Sequence, residues 1–536
     1  MASNATAGSG AGDLFQRKAT GLLRGWSVWD AFIYATFSIN LITLGLFILS
    51  YAPFIPDGAL LPAIILSGLY LIFQAVTYAS LIAVMPRAGG DYLFVSRILW
   101  GGVGFVLAVM GWWFIQWHWV PIYANILNVE VFAPLSAILR LEGVAVFFGE
   151  PAGIFVSSMI VALLAALYVS LGMRVYARIQ KVCFYGGLVG LAVMFTLLAV
   201  HSNSDFIAAF NSQAQELYGA SGNAYQQTIQ AGSVAGVGAG ALGPTLLLMP
   251  MVVFFNLWCN WGATLYGEVS GASDFRKNIY AMGGALVATT CAAVVLLLLI
   301  GKTLGWEFYY AASNAYWSGA EDAPVSAWPY PGLLAAFFFD NPALQAGLVV
   351  LMSLWFFGWV GTVFLSGSRM VFAAAFDRVL PESVSKTSRN GVPYVALALM
   401  LVPSIPISYL YAFGENFAAY TLDATLVIAV MFLGSAVAAA VLPWRRPDIY
   451  NASPIAHYTV LGIPIVTCVS VLFGAFLVFC LYEWIVRDVY GVNNPQSMIY
   501  ILILYAIATA MYITFRIMRR LQGIDLKMVH DEIPEE

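Results

Sequence analysis

The sequence is poor in charge: Asp, Glu, Lys and Arg make up 9% of its 536 residues, whereas 61% are hydrophobic. An average soluble domain has about 25% charged residues. A soluble chain of this length would also divide into two or more domains, yet no Pro/Ser-rich linker or run of charges separates the apolar stretches. The shortage of charge excludes a string of water-soluble domains. It predicts one membrane domain in a lipid bilayer, with short tails and no nucleic-acid partner.

Cysteine and histidine are also scarce, at five and four residues. All five cysteines fall inside apolar stretches, and an odd number scattered in this way indicates neither a disulfide framework nor a zinc cluster. The apolar stretches are almost free of His, Asp, Glu and Cys clusters, so a membrane enzyme, a metal site and a cofactor are not predicted. We expect buried, inert thiols at Cys183, Cys259, Cys291, Cys468 and Cys480.

Twelve charge-free windows are long enough to cross a bilayer. A hydrocarbon core of ~30 Å needs ~20 apolar helical residues, because only a helix satisfies its own backbone groups there. Window 217–267 is too long for one helix, so its polar, glycine-rich first half is assigned to an external loop or an interfacial segment, and the helix starts near Gly243. A second long external loop is expected at 301–341. The windows are 31–56, 58–86, 98–129, 151–173, 182–204, 217–267, 278–301, 341–368, 390–414, 424–444, 449–482 and 489–515.

The distribution of Lys and Arg predicts the orientation, because positive charge resists translocation. With the N-terminus inside, 20 of these residues lie on the cytosolic side, and only Arg140, Lys302 and Arg487 lie outside. This count predicts a multi-pass protein of the cytoplasmic membrane with both termini in the cytosol. Segment 1–24 lacks the apolar run of a signal peptide and is expected to be a disordered cytosolic tail.

Polar residues and glycine interrupt two spans at matching positions: span 1 reads ATFSINLITLGLF and span 6 reads FFNLWCNWGATLYG. At mid-depth such residues weaken a helix and supply hydrogen bonds where its backbone opens, as at the centre of secondary transporters. The same residue types also make ordinary contacts between membrane helices, and aromatic residues often fill packing positions. The predicted substrate-binding residues are Ser38, Ile39, Asn40, Thr43, Gly45, Gln116, Phe254, Asn256, Trp258, Asn260 and Trp359.

Two segments resemble signatures of the amino acid/polyamine/organocation superfamily. MPRAGGDYLFVSRIL (85–99) is similar to its proline, double-glycine and tyrosine signature, and SGSRMVFAAAFDRVLPESVSK (366–386) is similar to its span 8 signature. The resemblance covers about residues 26–465 and implies an all-α integral membrane protein with a leucine-transporter-like fold. Two inverted repeats of five spans would then form the core, followed by two extra C-terminal helices. The implied boundaries are 25–442 for the core, with repeats at about 26–200 and 244–442, then 443–518 for spans 11 and 12 and 519–536 for a cytosolic tail.

The resemblance also implies roles for the two interruptions. In the superfamily, unwound backbone of spans 1 and 6 binds an amino acid, with N–H groups taking the carboxylate and carbonyls taking the ammonium, as helix-end dipoles favour. Thr43 replaces a glycine of the span 1 motif, and Asn260 stands where span 6 usually has a glutamate. The position of a span 5 lysine that serves as a cation in many relatives is Gly187, so H+ and Na+ both stay open as coupling ions.

Three residues are candidates for ion coupling. The hydroxyls of Thr362 and Ser366 stand where sodium-coupled relatives place ligands. His118 is at membrane depth and could relay a proton or simply hydrogen-bond to a neighbouring helix.

Acidic residues are expected at helix ends, where water reaches them. Glu268 is predicted either to pair with Arg97 or Arg369 as a cytosolic gate, or to be a solvated surface carboxylate. The others in this group are Asp30, Asp377 and Asp423.

The sequence therefore predicts a secondary active transporter, not an enzyme, that moves amino acids or related small amines by alternating access. Another small solute, such as a nucleobase or an organic acid, stays open as the cargo. A ligand sensor that binds without transport is a further alternative. No selectivity-filter segment of a channel is present.

Overall fold

A computed structural model describes residues 21–415, 417–421 and 423–533. These residues include twelve helices long and apolar enough to cross a membrane, which confirms the predicted number. The predicted tail at 1–24 falls mostly on residues outside this description. Spans 1 to 12 are Val28–Leu49, Leu60–Val84, Gly101–Ile138, Pro151–Ser170, Met173–Val200, Leu242–Glu268, Phe275–Thr303, Pro342–Phe376, Tyr394–Phe413, Phe417–Arg445, Ile465–Val486 and Pro495–Leu521.

Spans 1, 3, 6, 8 and 10 form the buried centre, whereas spans 4, 5, 7, 9 and 12 present apolar side chains outward. Leu163, Val182 and Leu502 are each at least 60% exposed on such outer faces. Apolar surface of this kind is stable in contact with lipid chains rather than with water. The chain is therefore a multi-pass membrane protein.

The contacts between spans in the first half of the chain have counterparts in the second half. Span 1 packs along span 7, and span 6 packs along span 2; spans 2 and 7 also contact each other, as do spans 4 and 9. A two-fold axis relating spans 1–5 to spans 6–10 would convert the contact of spans 1 and 7 into that of spans 6 and 2. The same axis would map the contacts 2–7 and 4–9 onto themselves. The predicted repeat agrees with this pattern but stays a prediction.

We call the surface formed by the connections between spans 1–2, 3–4, 5–6, 7–8, 9–10 and 11–12 the outer face, and the opposite surface, which holds the termini, the inner face. Two long outer connections are largely helical, which corrects the expectation of a loop at 301–341. Ser202 and Asp205 form a capping box, and Asn223 caps the next helix, so local hydrogen bonds favour helix there. The outer helices are Ala52–Phe54, Glu142–Gly149, Asn203–Tyr218, Ala224–Ala231, Trp306–Ser318, Pro331–Ala336 and Asp488–Tyr490.

The inner face is covered by short elements. Helix Asp91–Ile98 follows the double glycine, and a terminal helix, Leu526–Asp531, docks against it and against span 3. Leu526, Val529 and His530 of the terminal helix are buried. The remaining inner elements are Glu382–Ser385, Pro447–Asn451 and an antiparallel pair of strands, Thr459–Val460 and Ile463–Pro464.

The cysteines are unpaired, as expected, but not all are buried. Cys183, Cys259 and Cys480 are buried, whereas Cys468 is half-buried and Cys291 is exposed. Cys291 lies on the outward side of span 7, so an apolar stretch did not guarantee burial within the protein.

Candidate functional site

Span 1 is interrupted at Asn40. Helix Val28–Ile39 ends there because Asn40 has a left-handed backbone (φ 44°), and a π-helical turn, Leu41–Gly45, follows. The Asn40 side chain is fully buried and engaged at both ends: Oδ1 accepts from the Thr43 N–H (3.1 Å) and Nδ2 donates to the Trp355 carbonyl (3.2 Å). The Asn40 side chain therefore stabilises the interruption and connects it to span 8 by a hydrogen bond.

Span 6 is interrupted after Asn256. Helix Leu242–Asn256 gives way to a turn and then to a 3₁₀ helix, Trp261–Glu268. Gln74 of span 2 secures the turn, since its Nε2 donates to the Leu257 carbonyl (2.7 Å) and to Asn260 Oδ1 (2.9 Å). Both predicted interruptions are thus present, each with a side chain taking over backbone hydrogen bonds.

Spans 3 and 8 join the two interruptions. Ser366 donates to the Trp261 carbonyl (2.7 Å) and is hydrogen-bonded to the Tyr34 hydroxyl (2.8 Å). Thr362 is hydrogen-bonded to the Tyr123 hydroxyl (3.1 Å), and its carbonyl accepts from Trp261 Nε1 (3.1 Å). The two predicted hydroxyls therefore lie together between spans 1, 3 and 6, but each already has protein partners.

A cavity of about 700 Å³ leads from the outer face to this centre. Its rim includes Tyr51 and Asp488 from outer connections, and its inner end is formed by Trp119, Tyr123 and Trp359. The rings of Tyr123 and Trp359 stack at 3.4 Å. Most of the wall is aromatic or aliphatic, so the cavity suits an uncharged, partly apolar ligand group.

Several buried polar atoms near the inner end have no hydrogen-bond partner. They are Trp119 Nε1, Gln116 Oε1 and Asn260 Nδ2. Leaving a buried polar group unpaired costs about 1–3 kcal/mol. Of the three residues, Trp119 belongs to the cavity lining, whereas Gln116 and Asn260 lie behind it.

The predicted substrate-binding residues divide into two groups. Phe254 and Trp359 line the cavity. The others lie around the interruptions behind it, with protein partners such as Tyr34 for Ser38, Ser67 for Asn256 and the Phe254 carbonyl for Trp258. Those behind the wall are Ser38, Ile39, Asn40, Thr43, Gly45, Gln116, Asn256, Trp258 and Asn260.

The inner face is closed by two buried ion pairs. Arg369 donates to Glu268 through Nε (2.7 Å) and Nη2 (3.3 Å), and both side chains are at most 1% exposed. Arg97 instead pairs with Asp377 (2.5 Å). Of the two predicted partners of Glu268, the structure selects Arg369.

The expectation of solvated acids at helix ends is wrong for this group. Asp30, Glu268, Asp377 and Asp423 are all buried. Each has a partner that compensates for lost water: Lys181 for Asp30, and the Ser497 hydroxyl for Asp423. Three of the four acids have these partners on other spans, which charge-free windows could not reveal.

The hydrogen-bond partners of His118 do not include the other ion-coupling candidates. Its Nδ1–H donates to the Phe114 carbonyl (2.9 Å) and its Nε2 accepts from Tyr500 of span 12 (2.7 Å). The structure therefore does not bring His118 together with Thr362 and Ser366. At Gly187, the indole of Trp355 donates to the glycine carbonyl (3.0 Å) and fills the space beside it.

Two fully buried carboxylates were missed by sequence analysis. Asp91 follows the double glycine and accepts from Tyr78 (2.5 Å), Ser435 (2.6 Å) and Trp112 (2.9 Å), so it ties spans 2, 3 and 10 together. Glu130 lies in span 3 beside the interruption of span 1. The predicted third window stopped at 129, whereas the helix continues to Ile138 and carries this acid with it.

These features define a polytopic membrane protein with a central site between two interrupted helices. The chain belongs to the amino acid permease family, whose sequence model matches residues 26–510. It is also similar to the branched-chain amino acid permease BcaP of Lactococcus lactis subsp. cremoris, with 23% identity over 377 residues that cover 69% of this chain and 71% of the relative.

Two substitutions of Asn40 distinguish the contribution of its side-chain hydrogen bonds to stability from that of its left-handed backbone. Asn40→Gly keeps access to positive φ and loses the two side-chain hydrogen bonds, which is expected to cost about 1 kcal/mol. Asn40→Ala loses both and is expected to cost about 1–2 kcal/mol more, because alanine disfavours the left-handed region. The check is the free energy of unfolding in mixed micelles, and equal values for the two variants would contradict a role for the positive φ.

Proposed function

We propose that this protein is a secondary active transporter that moves amino acids or related small amines across the cytoplasmic membrane by alternating access. The observation that carries the proposal is that the central site is accessible from the outer face and closed at the inner face. A cavity extends from the outer face to Leu44 in the interrupted turn of span 1 and to Phe254 just before the interruption of span 6, while buried ion pairs close the inner face. A carrier open to one side at a time requires such an arrangement, and the family of the chain favours a transporter rather than an enzyme.

The substrate class proposed is a neutral amino acid with an apolar side chain. The walls near the inner end are formed by Leu44, Trp119, Met251, Phe254 and Trp359, and the acid among the lining residues is Asp488 at the rim. The ammonium and carboxylate would bind backbone groups at the interruptions, where helix ends supply partial charges of both signs. The similarity to a permease for branched-chain amino acids supports the same class.

In the membrane, the inner face is proposed to be cytosolic, with both termini on that side. The bias of Lys and Arg, at 20 against 3, supports this orientation. The proposed transport could be coupled to either H+ or Na+.

Uptake into proteoliposomes tests the function. Radiolabelled leucine, arginine, glutamate, putrescine and uracil would be offered to vesicles with and without protein, under imposed H+ or Na+ gradients. Saturable uptake of leucine, blocked by unlabelled neutral amino acids, is expected. Ligand-dependent stabilisation without uptake would indicate a sensor, and preferential uptake of uracil or an organic acid would replace the proposed cargo.

Trp359→Leu tests whether the cavity is the substrate path. Trp359 lines the inner end of the cavity, so replacing it with the smaller Leu removes apolar contact with the substrate worth on the order of 1 kcal/mol, and the KM for leucine is expected to rise up to about tenfold. The matched control is Trp444→Leu, because Trp444 is 64% exposed at the far end of span 10. An unchanged KM in Trp359→Leu would place the substrate elsewhere.

A further inference from the structure

Glu130 is a buried acid that the proposed site does not use. It lies in a π-helical segment of span 3, Asn128–Phe132, and is fully buried. Its Oε1 accepts from the Thr43 hydroxyl (3.2 Å) and from the Tyr330 hydroxyl (3.2 Å). Its Oε2 is buried without a hydrogen-bond partner.

No ion pair among the described residues neutralises Glu130, in contrast to Asp30, Glu268 and Asp377. Asp91 and Asp423 also lack an ion pair, but each accepts a hydrogen bond of 2.5 Å, whereas both bonds to Glu130 are 3.2 Å long. Burying an uncompensated carboxylate charge is costly, and an ionisable side chain inside a membrane protein is retained chiefly for function. A proton on Oε2 removes the charge, while the two hydroxyls continue to donate to Oε1. The geometry is that of a proton-binding carboxyl.

The surroundings do not suit a metal cation. Sodium or a divalent ion would need several oxygen ligands, yet the two hydroxyls near the carboxyl direct their hydrogens to Oε1. No group of three or more His, Cys, Asp or Glu side chains in the described parts of the chain is arranged to hold a metal.

The packed elements bring few other ionisable groups to Glu130. Its segment contacts the rest of span 3, helix Glu142–Gly149 and span 8. The first half of span 8, Pro342–Trp359, has no ionisable side chain. In span 3, His118 bonds to Tyr500 and Tyr123 to Thr362. The outer connection contributes Tyr330, which is in direct contact.

Glu130 also joins the elements that surround the cavity. Thr43 belongs to the turn that Asn40 caps in span 1. Tyr330 precedes the outer helix Pro331–Ala336 and stacks on Trp328 (5.3 Å), whose ring also contacts Phe47 of the cavity wall (5.9 Å). Glu130 therefore links the interrupted turn of span 1 to the outer connection that holds Tyr330.

We propose that Glu130 is the proton-binding site that couples substrate uptake to a proton gradient. The inference rests on the proposed transport function. The carboxylate takes up one proton at Oε2 while the cavity is open to the outer face, and the neutral carboxyl gives that proton up after the site has opened to the inner face. Thr43, where the family motif has glycine, supplies a donor that holds the carboxyl against span 1.

The test compares Glu130→Gln with the wild type in two assays on the same proteoliposomes. Gln mimics the protonated carboxyl, so exchange of internal for external leucine is expected to persist within about threefold of wild type. Accumulation driven by an acidic exterior is expected to be lost, together with leucine-dependent acidification of a pH dye inside the vesicles. Glu483→Gln, a buried acid in peripheral span 11 paired with Arg487, is the matched control and should keep both activities.

The outcomes separate the two proposals. Wild-type vesicles without leucine exchange would overturn the transport function itself. Exchange without proton-driven accumulation in the wild type, or accumulation that survives in Glu130→Gln, would overturn the role of Glu130 alone. If Glu130→Gln does not fold, Thr43→Val decides: removing a donor to the carboxylate favours the protonated form, so the pH of half-maximal uptake should rise. An unchanged pH profile would contradict the inference.

Discussion

Arg369→Met is expected to destabilise the folded protein by about 3–5 kcal/mol, because it leaves Glu268 as an uncompensated buried charge. Both side chains are at most 1% exposed, and the guanidinium contacts both carboxylate oxygens. The measurement is unfolding by SDS in mixed micelles. The control is Arg378→Met, since Arg378 pairs with Glu382, which is 67% exposed, and should change stability by less than about 1 kcal/mol.

A double variant sharpens this test. Combining Arg369→Met with Glu268→Gln removes both charges, so most of the lost stability should return. Two additive losses would mean that the pair does not interact, and an unaffected Arg369→Met would mean that water reaches the pair.

Gly90→Ala is expected to cost about 2–4 kcal/mol, from a strained backbone and from overpacking. Gly90 has φ +51°, and an added Cβ would lie 2.9 Å from the Thr264 backbone nitrogen and 3.1 Å from the Ala263 carbonyl carbon. The second glycine of the motif thus allows helix Asp91–Ile98 to approach the inner half of span 6.

Gly219→Ala is the matched control for this substitution. Gly219 has φ +69° with open space around its Cβ position, so only the backbone term of about 1 kcal/mol should appear. Unfolding in mixed micelles measures both variants. Equal losses would show that close packing against span 6 contributes nothing to the need for glycine.

The spans and their interruptions could be predicted from sequence because both follow from local composition. An apolar stretch of sufficient length must form a helix in lipid, and span 6 begins at Leu242, one residue from the predicted Gly243. Asn40, one of the four residues predicted to weaken span 1, has a left-handed backbone, but the sequence did not distinguish it from Ser38, Thr43 and Gly45.

The partners of buried charges could not be predicted, because they depend on contacts between distant spans. Glu268 and Arg369 are 101 positions apart, and both Arg97 and Arg369 stood at plausible depth. Glu130 was missed for a related reason: a search for charge-free windows ends a span at the first acid, although a buried acid can lie within one. Thr43 was predicted as a substrate-binding residue and as a replaced glycine, and neither prediction anticipated its hydrogen bond to Glu130.

The segment that includes the terminal helix Leu526–Asp531 is hydrogen-bonded to one of the inner ion pairs, so a probe on that helix can report movement of the inner face. Arg97, which pairs with Asp377, also donates through Nε to the Glu532 carbonyl (3.2 Å). Any motion that draws Arg97 away from Asp377 must carry the end of the chain with it or break that hydrogen bond. Met528 of this helix is half exposed. A fluorophore attached there would lie close to the Arg97–Asp377 pair, so its emission is expected to change each time the inner face opens.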